Sequence, residues 1–162
     1  MPCWTETWTT PVPGERSRGL LDTNILVLRR WIDPAVLPDE VAISAVTLAE
    51  LSAAVQLVAG DDAEARAERA RRTDVLQRVE NEFDPIPFDA DAARMFGRLS
   101  AAVRGVGRTP RRRVADLMIA AVAAVHGLPL YTTNPGDFAG LDGLVDVVAV
   151  ARAADRSSSH DT

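Results

Sequence analysis

Lysine is absent from this chain of 162 residues, and all 18 of its basic residues are arginine. Mechanisms that need a lysine are therefore excluded, among them the P-loop cradle for phosphates and Schiff-base chemistry. With 23 acidic residues the formal net charge is −5, so the chain as a whole has no basic field that would attract nucleic acid. Any binding of nucleic acid must depend on a local patch.

Cysteine and long apolar runs are equally scarce. The one cysteine, Cys3, excludes a disulfide framework and a thiolate metal site, and it fits a reducing compartment. We find no pattern of a secretion signal and no apolar run of the ~18 residues that a membrane helix needs. We therefore expect a cytoplasmic protein that does not enter a membrane.

The chain is predicted to be one domain between two polar ends. Residues 1–18 are polar and rich in proline, which predicts a flexible leader. Residues 19–150 form the predicted domain, and residues 151–162 a polar, disordered tail. We find no internal repeat and no second domain.

Short apolar segments alternate with helical segments through the predicted domain. This alternation predicts an α/β fold in which a parallel sheet has helices on both faces. The helix over 117–125 is apolar all round and should be buried, whereas the charged helix over 61–82 should be mostly exposed. The predicted strands are 19–22, 41–44, 128–131 and 144–150, with a short edge at 85–88, and the other predicted helices are 23–31, 45–59 and 89–104.

Four acidic residues interrupt or end these apolar segments, where a carboxylate is costly unless it is hydrogen-bonded or neutralised. Asp22 ends the first strand and Asp137 follows the third, while Glu50 and Asp116 lie in helices. Ligands of parallel sheets bind beyond the carboxyl ends of the strands, so the four acids can meet at one edge. A pocket of carboxylate oxygens is how proteins bind a hard divalent cation.

Each acid also has a structural interpretation when it is taken alone. Asp22 and Asp116 could cap the helices that follow them, and Asp137 could belong to a turn after Asn134. Glu50 resists both interpretations because it lies inside a helix among leucine and alanine residues. The set of four therefore favours a joint site.

Four segments resemble, in order and separation, the motifs of the PIN-domain nucleases, and within them of the VapC-type toxins of bacterial toxin–antitoxin pairs. The resemblance covers about residues 19–150, and it implies a three-layer α/β/α sandwich with a central parallel sheet, an acidic Mg²⁺ or Mn²⁺ site and cleavage of RNA by the free toxin. The segments are Leu20-Leu-Asp22-Thr-Asn24, Ile43-Ser-Ala-Val-Thr-Leu-Ala-Glu50-Leu, Ala115-Asp116-Leu-Met-Ile-Ala-Ala-Val-Ala and Leu128-Pro-Leu-Tyr-Thr-Thr-Asn134-Pro-Gly-Asp137-Phe138.

The resemblance makes Asp22, Glu50, Asp116 and Asp137 the candidate catalytic acids, with Asn134 as an alternative to Asp137. Our hypothesis is that Asp22 and Asp116 hold the principal metal ion, and that Asp137 joins the metal site by orienting a metal-bound water or helping to hold a second ion. Glu50 positions or deprotonates the attacking water. The expected activity is that of a metal-dependent endoribonuclease, which leaves 5′-phosphate ends and inhibits translation as a toxin.

An arginine-rich loop precedes Asp116 and has two interpretations of about equal weight. It could grip RNA phosphates, or it could be a solvated loop paired with surface acids. Proximity to Asp116 favours RNA slightly. The candidate substrate-binding residues are Thr23, Thr132, Asn134, Arg111, Arg112 and Arg113.

The implied partners are RNA, a VapB-type antitoxin whose C-terminal segment blocks the acidic pocket, and a second copy of the chain. These would form a homodimer, and with antitoxin a heterotetramer or a larger assembly. Receiver domains and haloacid-dehalogenase-like phosphatases also place acids at strand ends, but both need a lysine. A catalytically silent PIN-like module that binds RNA or protein remains the alternative, although the presence of all four acids disfavours it.

Overall fold

The computed structural model describes residues 17–109 and 113–152. A membrane crossing would need a longer apolar helix than any found in these two ranges. The predicted leader and tail fall largely outside them, as do Arg111 and Arg112. The strands are β1 (Arg18–Leu21), β2 (Glu40–Ala42), β3 (Leu130–Thr132) and β4 (Val147–Ala149), and the helices are α1 (Thr23–Leu28), α2 (Ala45–Gln56), α3 (Ala63–Glu82), α4 (Ala90–Gly105) and α5 (Val114–Val125).

All four strands are parallel and form one sheet in the order β2-β1-β3-β4. In the register of the sheet, Leu20 of β1 lies opposite both Ala42 of β2 and Leu130 of β3. The two central strands, β1 and β3, therefore end side by side. The backbone N–H of Asp22 extends this pairing by donating to the carbonyl of Tyr131 at 2.9 Å.

Helices pack against both faces of the sheet. Successive side chains of a strand point to opposite sides, so neighbouring residues of a strand enter different cores. Leu20 and Leu130 belong to a core that includes the buried residues of α4 and α5. Their neighbours Leu21 and Tyr131 pack on the other side, with residues of α1 and α3. The predicted three-layer α/β/α arrangement is confirmed.

The two helices with the most unusual composition lie where their sequences predict. Six residues of α5, Leu117 and 119–123, are buried at 0–1% exposure. Of the 20 residues of α3 only Ala65 and Val79 are buried, and Glu68 pairs with Arg71 and Arg72 on the exposed surface. Apolar composition on all sides thus produced an internal helix, and charge on most sides an external one.

Several boundaries differ from the prediction for identifiable reasons. The first helix ends at Leu28 and continues as a 3₁₀ turn over Arg29–Trp31, and β1 begins at Arg18, which the prediction assigned to the leader. The third strand begins two residues late because the N–H of Leu128 bonds to Ala123 and closes the end of α5. The predicted edge at 85–88 is a single bridge of Ile86 to Ser44, since the prolines on either side of Ile86 have no N–H to donate.

Candidate active site

Asp22 lies at the carboxyl end of β1 and caps the N-terminus of α1, with only 3% of its surface exposed. One carboxylate oxygen accepts from the backbone N–H of Thr23 at 2.8 Å. The other accepts from the Thr132 hydroxyl and the Asn24 amide, both at 2.8 Å. Burial raises the pKa of Asp22, the hydrogen bonds from Thr132 and Thr23 oppose that rise, and the charges of Glu50 and Asp137 add to it.

Asn24 ties Asp22 to the end of β3, a role that the sequence analysis did not assign to it. Its amide N–H₂ also contacts the Thr132 hydroxyl at 3.3 Å, and its carbonyl accepts from the N–H of Thr133 at 3.2 Å. The only signal for this role is its position two residues after Asp22 in the first resembled motif. Thr132 is fully buried and bonded to Asp22, which favours holding that carboxylate over direct contact with a substrate.

Glu50 reaches the same region from α2. It is half-buried, and one of its carboxylate oxygens accepts a hydrogen bond from the hydroxyl of Thr23. Thr23 therefore contacts two acids, Asp22 through its backbone N–H and Glu50 through its side chain. The N-terminal half of α2 lies at this edge because α2 begins just after β2 ends.

Asp116 lies in the first turn of α5, which leads back into β3 and so begins at the carboxyl edge of the sheet. It is half-buried, and no described residue donates a hydrogen bond to its carboxylate. Its pKa is raised to about 6, first by burial and then by the charges of Asp22, Asp137 and Glu50, while Arg113 acts in the opposite direction. The other three acids are thus close enough to Asp116 to repel it.

Asp137 completes the group from the 3₁₀ turn Pro135–Phe138, which follows β3. Its carboxylate accepts a hydrogen bond of 2.5 Å from the guanidinium of Arg113. Arg108, from the same arginine-rich loop, donates to the carbonyl of Gly136 at 2.9 Å. Asn134 is exposed and its side chain does not cap this turn.

The structure therefore brings the four acids from separate segments to one edge of the sheet. Their donor set fits Mg²⁺ or Mn²⁺ in kind, because it consists of carboxylate oxygens. Burial and the charges of neighbouring acids raise the pKa of Asp22 and of Asp116, which favours a cation between them. Among residues 17–109 and 113–152, however, no three acidic, histidine or cysteine side chains already lie as close together as metal ligands. Glu50 is instead bonded to Thr23 and Asp137 to Arg113, so coordination of an ion would need adjustment of these two side chains.

Comparison with known proteins identifies the family. The family model of the PIN domain matches residues 20–144. Ribonuclease VapC5 of Mycobacterium tuberculosis is 42% identical over 142 residues, which cover 86% of this chain and 95% of that protein. The ribonuclease VapC8 of the same species is 35% identical over 113 residues, covering 69% of this chain and 96% of that protein.

A solved structure agrees with these matches. The crystal structure of VapBC-5 from Mycobacterium tuberculosis, a member of the VapBC family of toxin–antitoxin systems, includes a chain with 40% sequence identity and a TM-score of 0.68. The match covers 83% of this chain and 98% of that one. The chain belongs to the PIN-domain family, and within it to the VapC group.

Proposed function

We propose that this chain is a metal-dependent endoribonuclease that hydrolyses RNA phosphodiester bonds by attack of water, and that it is the toxin of a toxin–antitoxin pair. The observation that carries the proposal is the position of Asp22, Glu50, Asp116 and Asp137 on elements that meet at one edge of the sheet. The names of the VapC relatives support ribonuclease activity.

Asp22, Asp116 and Asp137 would hold Mg²⁺ or Mn²⁺. A bound divalent ion supplies positive charge that lowers the pKa of a water molecule and neutralises charge on the phosphate. Asp116 suits this role because its half-buried carboxylate receives no hydrogen bond from the described residues. Asp22 suits it because Thr23, Asn24 and Thr132 fix its orientation in advance.

Glu50 would orient the attacking water or accept its proton. The hydroxyl of Thr23 holds the Glu50 carboxylate beside Asp22, so that the base and the principal acid share one positioning residue. Attack by water leaves a 5′-phosphate and does not use the 2′-hydroxyl of RNA as the nucleophile. We retain Thr23, Asn134, Arg111, Arg112 and Arg113 as candidates for contact with the RNA.

The test is cleavage of total RNA by the purified chain and by matched variants. Asp22→Asn and Asp116→Asn remove one negative charge each from the site, and Asp74→Asn removes one from the exposed surface of α3. With Mn²⁺ we expect discrete cuts with 5′-phosphate ends from the parent and from Asp74→Asn, and none in EDTA. The two site variants should lose on the order of 100-fold or more in rate.

Two results would contradict the proposal. Cleavage by Asp22→Asn and Asp116→Asn at the parental rate would mean that the acids do not act in the reaction. Ends that carry a 2′,3′-cyclic phosphate would mean that the 2′-hydroxyl, and not water, attacks the phosphorus. Mn²⁺-independent binding of RNA without any cleavage would instead support the alternative, a silent PIN-like binding module.

The toxin role implies an antitoxin and a second copy of the chain. The solved VapBC-5 neighbour is a member of a toxin–antitoxin family, which supports a VapB-type partner here. We propose that the C-terminal segment of this partner blocks the acids, with an arginine in place of the metal charge, in a heterotetramer or larger assembly.

Induced expression of the chain should stop translation, and co-expression of the partner or the Asp22→Asn substitution should restore it. Continued arrest by the Asp22→Asn variant would contradict the toxin role.

A further inference from the structure

Arg113 is the one cationic side chain that contacts any of the four acids among the residues that the structure describes. Its guanidinium bonds to Asp137 at 2.5 Å, and the two side chains are 30% and 37% exposed. Thr23, Asn24 and Thr132 bond to Asp22 or Glu50 as neutral donors. Arg113 therefore differs from every other partner of the site because it brings a full positive charge.

Two residues after α4, Val106 and Arg108, contact the turn that carries Asp137 and the backbone beyond it. Arg108 donates to the carbonyl of Gly136, the residue before Asp137. At Gly140, a Cβ atom would lie 2.7 Å from the side chain of Val106, so the backbone beyond the turn packs directly against this loop. Val106 and Arg108 thus contact the chain on either side of Asp137, and the side chain of Asp137 itself bonds to Arg113.

A guanidinium and a divalent cation compete for the same carboxylate. The hydrogen bond of Arg113 occupies one oxygen of Asp137, and an ion that took that oxygen would also meet the positive charge of Arg113 at short range. An ion at this oxygen would break the ion pair, and an ion at the other oxygen of Asp137 would be repelled by the nearby charge of Arg113. Both side chains are partly exposed, so the arginine can move into solvent when an ion binds.

We propose that Arg113 is an internal counterion of Asp137, which competes with the divalent cation for this carboxylate and so lowers the affinity of the site for metal. The proposal rests on the proposed function, because it requires that Asp137 takes part in binding the ion. Arg113 is in this view a positioning residue for Asp137, in addition to any contact with RNA.

Mn²⁺ affinity, measured by isothermal titration calorimetry on the RNA-free chain, tests the counterion directly. Arg113→Gln should bind Mn²⁺ on the order of tenfold more tightly than the parent, because a charge-assisted hydrogen bond no longer has to be broken. The gain should disappear in the Asp137→Asn background. Arg98→Gln, which removes an exposed charge from α4, is the matched control and should keep the parental affinity.

The outcomes separate the counterion from the proposed function. If the parent binds Mn²⁺ and Asp22→Asn does not, while Arg113→Gln binds as the parent does or more weakly, the counterion is wrong and the metal site stands. An equal gain in the Asp137→Asn background would also overturn it, because Arg113 would then act without Asp137. A parent that binds no Mn²⁺ would overturn both. Arg113→Ala is a second variant with the same expected gain in Mn²⁺ affinity. The Arg113 side chain caps no helix, and circular dichroism checks that the variant is folded.

Discussion

Among the four acids, Asp116 is the one whose carboxylate receives no hydrogen bond from a described residue. This affects the stability of the folded chain. Its charge is partly desolvated and is repelled by Asp22, Asp137 and Glu50. We predict that Asp116→Asn raises the free energy of unfolding by about 1–2 kcal/mol at neutral pH in EDTA, since the raised pKa reports an unfavourable charge in the folded state. Urea denaturation of the parent and the variant measures this, and a variant less stable than the parent would contradict it.

The same residue predicts a pH dependence. The pKa of Asp116 is about 6 in the folded chain against an ordinary value of 3.8, so between these values the folded state holds more protons than the unfolded state. The stability of the parent should therefore fall as pH rises through this window. The advantage of Asp116→Asn should be absent near about pH 3.5 and complete above about pH 7. An advantage that is constant over this range would show that it does not arise from titration of Asp116.

Residues whose role follows from local pattern could be predicted from the sequence, and residues paired over long distances could not. Glu50 was identifiable because a carboxylate among leucine and alanine residues has no local partner. The pair of Arg113 with Asp137 joins positions 24 residues apart, and the bond from Thr23 to Glu50 spans 27. Such pairs leave no periodicity or motif in the sequence, so the sequence allowed the arginine loop either RNA or surface acids as partners and did not identify Asp137 as the partner of Arg113.

At the scale of the elements, two glycines should respond in opposite directions to the same substitution. A Cβ at Gly19 in β1 would lie 2.4 Å from the ring of Tyr131 and 3.0 Å from Pro38. Gly19→Ala should therefore destabilise the chain by about 1–3 kcal/mol through overpacking. Gly97 lies inside α4 with nothing within 4 Å of its Cβ position, so Gly97→Ala should stabilise by about 0.5–1 kcal/mol. Thermal unfolding distinguishes the two, and equal shifts would contradict this account of β1 packing.

The segment that connects α2 to α3 is held by arginines of α3, which donate hydrogen bonds to its carbonyls. Arg69 donates to the carbonyls of Val58 and Gly60, both at 3.1 Å. We predict that Arg69→Ala lowers the free energy of unfolding by about 1–2 kcal/mol. Arg78 on the same helix is exposed, and Arg78→Ala should change stability by no more than about 0.5 kcal/mol. Equal losses of stability in both variants would mean that arginines stabilise α3 in general and do not act through the segment that connects α2 to α3.

The type and order of the elements followed from hydrophobic pattern, whereas their exact ends depended on contacts between elements. The apolar run of α5 and the charged run of α3 were sufficient to predict burial of one helix and exposure of the other. The start of β3 was not predictable, because the N–H of Leu128 is taken by Ala123 in the preceding helix. The order of strands in the sheet likewise rests on pairings that local sequence does not encode.

At the scale of the whole molecule, the topology explains why distant acids meet. The central strands β1 and β3 lie side by side, so Asp22 after one and the turn of Asp137 after the other share an edge. Helices that connect parallel strands run against them, and α2 and α5 therefore begin at that edge with Glu50 and Asp116 in their first half. The site is a property of the fold, and no single segment contains it.

Anomalous diffraction from crystals grown with Mn²⁺ tests the central claim most directly, because it locates the ion among the side chains. The account predicts a manganese peak within coordination distance, about 2–2.5 Å, of carboxylate oxygens of both Asp22 and Asp116. It also predicts that this peak disappears in crystals of Asp22→Asn. A manganese peak bound elsewhere in the chain, or density between these acids that remains in the variant, would contradict the account.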